Sequence, residues 1–69
     1  MRNRDKLAEV LNNYEYSSQE IATLIRFIYR DYGKMFTDTF VAVEVWLDNE
    51  YSADDTVWVW FDKFLKNNI

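Results

Sequence analysis

Asp48, Glu50, Asp54 and Asp55 fall within eight residues, and carboxylates at that density can hold a hard cation or exchange protons. Laid on a helix–loop–helix calcium loop, however, the segment places Ala53 where the turn demands Gly. It also places Val59 where the bidentate Glu belongs. A metal site is therefore not expected. Proton transfer and nucleophilic attack near neutral pH usually call on His or Cys, and the chain has neither. Ser17, Ser18 and Ser52 all stand where helix caps are expected, and the single Gly cannot build a phosphate-cradling loop. The residues predict no enzyme and no cofactor.

Arginines offer a second chemistry. Arg26 and Arg30 share a helix face, and Gln19-Glu20-Ile21-Ala22 reads like the opening of a helix-turn-helix unit. The chain then runs on through Phe27, Ile28 and Tyr29 without the turn that motif needs. A net charge of −4 also opposes phosphate as the main target. Direct nucleic-acid binding is not expected.

What distinguishes the chain is where its charges lie. No basic residue occurs between Lys34 and Lys63, a window that holds Asp38, Glu44, Asp48, Glu50, Asp54, Asp55 and Asp62. Before it, residues 1–34 are nearly neutral, with six bases and five acids. The window therefore reads as a run of uncompensated acids. Such a face suits a larger protein with a basic surface, because complementary charge raises association rate and selectivity. The plainer explanation is solubility.

These residues must be positioned by elements, and helical spacing recurs four times. Leu7, Val10, Leu11 and Tyr14 form one stripe, and Ile21, Leu24, Ile25, Ile28 and Tyr32 a second. Phe36, Phe40, Val43 and Leu47 form a third; Val57, Trp60, Phe61, Phe64 and Leu65 form a fourth. Ser17 with Glu20 makes a capping box, and Gly33 is placed to end the second helix in the left-handed conformation. Thr37 and Ser52 are expected to cap the third and fourth helices. The predicted spans are 4–15, 18–32, 38–49 and 53–67, in one helical domain covering 1–69. The fold class is all-α, a small bundle of about four short helices. Its rival is α+β, with a hairpin formed by 40–47 and 57–61, since both runs are β-branched and aromatic. Both runs are apolar on both faces, which a two-stranded ribbon cannot bury.

Apolar residues make up 49% of the chain and aromatics 19%, more than one small core needs. On the third stripe's wheel Val41 and Val45 point outward, and Trp58 lies at the edge of the fourth stripe. An exposed group of Val41, Val45 and Trp58 interleaved with acids is what a binding face looks like. The expected protein-binding residues are Asp38, Val41, Glu44, Val45, Asp48, Glu50, Asp54, Asp55, Trp58 and Asp62. In length, charge and helicity the chain resembles the small helical inhibitors of phages and mobile elements, including anti-CRISPR and DNA-mimic proteins. That resemblance implies an inhibitor or adaptor whose carboxylates stand in for phosphates. The competing reading is a self-associating helical homodimer in which the acids serve solubility alone. Arg2-Asn3-Arg4-Asp5-Lys6 does not read as a secretory signal, and no stretch approaches the roughly 18 apolar residues of a membrane span. A cytoplasmic protein without membrane contact is expected.

Overall fold

The computed structural model describes residues 1–67. They form four α-helices: α1 (Asn3–Asn13), α2 (Ser18–Tyr32), α3 (Thr39–Asp48) and α4 (Thr56–Asn67), with a 3-10 turn over Gly33–Met35 between α2 and α3. The fold is the all-α bundle, and the runs proposed as a hairpin lie inside α3 and α4. No helix among the described residues is long and apolar enough to cross a membrane.

The caps explain where each helix starts. Ser17 Oγ accepts from Glu20 N at 3.2 Å while Ser17 N donates to the Glu20 carboxylate at 2.8 Å, the expected reciprocal box. Two other caps differ from expectation. Asp38, not Thr37, caps α3, its Oδ1 accepting from Phe40 N at 2.9 Å. Asp55, not Ser52, caps α4 by accepting from Val57 N at 2.9 Å. A carboxylate outcompetes a hydroxyl at the positive end of a helix, so the cap moves to the acid nearest the first turn. Ser52 instead holds the turn before it, with Asp54 N donating to its Oγ at 3.3 Å.

Gly33 does not adopt the left-handed conformation; at φ −79° and ψ −7° the chain continues into the 3-10 turn. Space, not backbone angle, is what Gly provides there. A Cβ at this position would lie 2.6 Å from Tyr29 Cδ2.

α2 is the central element, packing on α3 and α4, while α1 packs on α3. Between them lies a core of Leu24, Ile28, Trp46, Val57, Trp58 and Phe61. The rings interlock: Trp46 and Trp58 have centroids 5.3 Å apart, and Phe61 meets Trp58 edge-on at 5.8 Å. Each large side chain removed from water this way contributes roughly 1.5–3 kcal/mol. One polar residue is sealed inside. Asn3 is fully buried; its Nδ2 donates to Trp46 O at 2.7 Å and its Oδ1 accepts from Trp58 Nε1 at 2.7 Å. Its backbone N donates to Asn49 O at 2.9 Å, part of a short antiparallel bridge between Arg2 and Glu50. The start of α1 is thereby tied to the end of α3 and to α4.

Candidate functional site

Trp46 and Ala42 set the phase of α3, both with no exposed surface. That rotates the helix from its expected orientation. Phe40, placed in the core by the stripe, is 69% exposed. Trp46, left out of the stripe, is at the centre. Counting by about 100° per residue from the buried pair, the outward face carries Phe40, Val41, Glu44 and Asp48. Exposure agrees: Val41 is 37% exposed, and the Glu44 and Asp48 side chains 46% and 52%.

Trp58 and Val45 do not belong to this face, and neither do Asp54 and Asp55, in the α3–α4 loop, or Asp62, on α4. Trp58 is 2% exposed, with its indole N–H spent on Asn3, so it can touch no partner. Val45 is only half-exposed, one position round from the Trp46 side of the helix. Val41, Glu44, Asp48, Glu50, Asp38, Asp54 and Asp62 are all at least partly accessible. The face is completed by Phe40. Sequence spacing held the signal for Phe40, since it precedes Glu44 by one turn and so must share its face.

The acids are not uncompensated. Arg4 Nη2 lies 2.5 Å from Asp48 Oδ1 and 3.7 Å from Glu44 Oε2, and Arg2 Nη1 lies 3.8 Å from Asp48. The bridge that seats Asn3 delivers these guanidiniums across more than 40 residues of sequence. Near the C-terminal end of α3, where the helix dipole is negative, carboxylates need such partners.

A second feature lies where α2 meets the α3–α4 loop. An open polar hollow of about 740 Å³ is lined by Asp31, Tyr32, Lys34, Glu50, Asp54 and Asp55, among others. The Tyr32 hydroxyl donates to Asp55. Burial foremost, then that hydrogen bond and the carboxylate's charge, push the Tyr32 phenol up to about 12. Asp55 is thus occupied twice, by the helix it caps and by the phenol, and is structural. Among the described residues no three acidic, Cys or His side chains are grouped to hold a metal ion.

Comparison with protein-family models, with curated proteins and with solved structures returns no match, so the surface is read from its own chemistry.

Proposed function

We propose that this chain is a non-enzymatic protein-binding module that docks through the outward face of α3 on a larger, basic protein in the cytoplasm. The observation that carries the reading is Phe40, a large aromatic ring 69% exposed at the head of a helix whose next turns bear Glu44 and Asp48. An exposed ring beside Val41 costs solubility, whereas aromatic anchors rimmed by charge are where interfaces gain their energy. Acids at Asp38, Glu44, Asp48 and Glu50 would steer the module toward a basic cleft. In its finer form the proposal is an inhibitor of the phage type, whose carboxylates occupy a nucleic-acid-binding surface in place of phosphates.

The test is affinity capture with the full chain as bait, from nuclease-treated lysate of its native source, over a salt series. Phe40→Ser and a Glu44→Gln/Asp48→Asn pair serve as controls, with circular dichroism to verify folding. The expected result is a basic protein that the wild type captures less readily as salt rises and that is lost with Phe40→Ser. Equal retention by both folded variants, or no basic protein retained, would overturn the reading.

A further inference from the structure

The outward side of α2 bears a feature that docking through α3 does not use. Arg26 and Arg30, one turn apart and exposed, join Phe27 and Tyr29 around an open hollow of about 370 Å³. Its wall is braced from behind: the Phe27 ring stacks on Trp60 with centroids 4.2 Å apart and planes 15° from parallel. The Arg30 guanidinium lies 4.5 Å from the centre of the Phe27 ring, a cation–π contact that fixes the rim. Among the described residues Arg26 has no ion pair, and Arg30 pairs only with its neighbour Asp31, at 3.3 Å. The volume is at the small end of ligand sites, roughly 300–1,000 Å³, which suits one aromatic side chain. A lining of two aromatic side chains and two guanidiniums selects an apolar group carried beside carboxylates.

The molecule displays such a group itself. Phe40 is exposed, Glu44 follows one turn later and Asp48 another, so the two acids have the same four-residue spacing as Arg26 and Arg30. We propose that the hollow on α2 receives Phe40 from a second copy of this chain, with Arg26 and Arg30 pairing with that copy's Glu44 and Asp48. Both acids keep about half their surface despite the contact with Arg4. Surface pairs of that kind exchange at little cost. The contact joins two different surfaces, so it either reciprocates in a closed pair or propagates from copy to copy. A closed pair covers both Phe40 rings and a propagating chain all but the one at its end, so self-association withholds the face that a foreign partner would use. The inference rests on the same exposed α3 face as the docking reading but needs no foreign partner, and the experiment uses the isolated chain.

Sedimentation equilibrium of the full chain, from micromolar to millimolar and at low and high salt, reads it directly. The expected average mass rises with concentration and falls with salt. Phe40→Ser and Arg26→Glu/Arg30→Glu should each weaken association about tenfold or more. The decisive arm mixes these two variants: one keeps the hollow and the other keeps the ring, so the mixture associates where neither does alone. A wild type that stays monomeric throughout, or a Phe40→Ser variant that associates as well as wild type, overturns the proposal. If the wild type is monomeric while an acidic peptide containing Phe shifts the NMR signals of Phe27 and Trp60, the proposal likewise fails and the hollow belongs to a foreign ligand.

Discussion

Replacing Asn3 with Ala should remove a large part of the stability of this fold, although Asn3 is a short side chain at the start of a helix. The side chain has no exposed surface and makes two hydrogen bonds of 2.7 Å, to Trp46 O and from Trp58 Nε1. The two partners do not lose equally. Trp46 O also accepts from Asn49 N at 3.2 Å and so keeps a donor. Trp58 Nε1, on a side chain 2% exposed, is left with none. An orphaned buried donor costs about 1–3 kcal/mol, and the space vacated by the amide adds about 1 kcal/mol. The expected loss is about 2–4 kcal/mol. A chain of 69 residues has a total of roughly 3–10 kcal/mol to lose. Urea unfolding followed by Trp fluorescence measures it, with an unchanged m-value showing that the two end states are the same. Asn3→Asp sharpens the test: an ionised oxygen would then face the Trp46 carbonyl in a buried site. Its pKa would be raised, so its deficit should grow as pH rises through that value and shrink in acid, where the protonated form can donate. Trp58→Phe should cost about 1–3 kcal/mol more than Trp46→Phe, because among the described residues the Trp46 indole N–H has no partner to strand. A loss below about 0.5 kcal/mol for Asn3→Ala would refute the reasoning.

Three further outcomes follow from local geometry. Tyr32, raised from an ordinary 10.0 to about 12 in the fold, favours folding in its neutral form. Its contribution is whole below pH 10 and is lost as pH climbs through 12, so the stability difference between wild type and Tyr32→Phe should fall across that window in alkaline thermal melts. Gly33→Ala drives a Cβ to 2.6 Å from the Tyr29 ring and should cost about 1–3 kcal/mol. In a Tyr29→Ala background the same change should be neutral or stabilising by about 0.4–1 kcal/mol, which a double-mutant cycle on unfolding free energies resolves. Asp55→Ala should destabilise by about 1–2 kcal/mol and Ser52→Ala by clearly less in urea titrations, since the acid and not the serine caps α4.

The sequence made α2 and α4 legible because one stripe of each turns inward: Leu24 and Ile28, and Val57 and Phe61, are buried as the period demands, although Ile21 at the head of the α2 stripe is 41% exposed. α3 resisted the same treatment. Phe40, Val41, Val43, Val45, Trp46 and Leu47 surround the helix, so the short polar side of Glu44 and Asp48 is flanked by apolar residues and fixes the phase only weakly. The phase is decided by bulk: the Trp46 indole needs the space beside Trp58, and turning it inward swings Phe40 out. Trp58 stands at the edge of its stripe on the wheel, and what holds it inside is Asn3, which accepts from its indole N–H. That acceptor lies 55 residues away, and no local pattern announces it. The charge map failed in the same way, because Arg4 meets Asp48 across 44 residues.

That meeting changes what the acidic surface can contribute. Around the end of α3 two guanidiniums, Arg2 and Arg4, stand beside Glu44 and Asp48, so a partner's cations encounter carboxylates already partly answered. Exposed pairs of this kind are worth little, about 0–1 kcal/mol, so displacing Arg4 is easy, but the partner gains only the difference between its own cation and Arg4. Charge at this face therefore favours encounter and orientation more than tight holding. Holding must come from what α3 turns outward without compensation, the ring of Phe40 and the side chain of Val41. For that reason the substitution that removes the ring, and not those that neutralise the acids, is the one that separates a docking face from a merely soluble one.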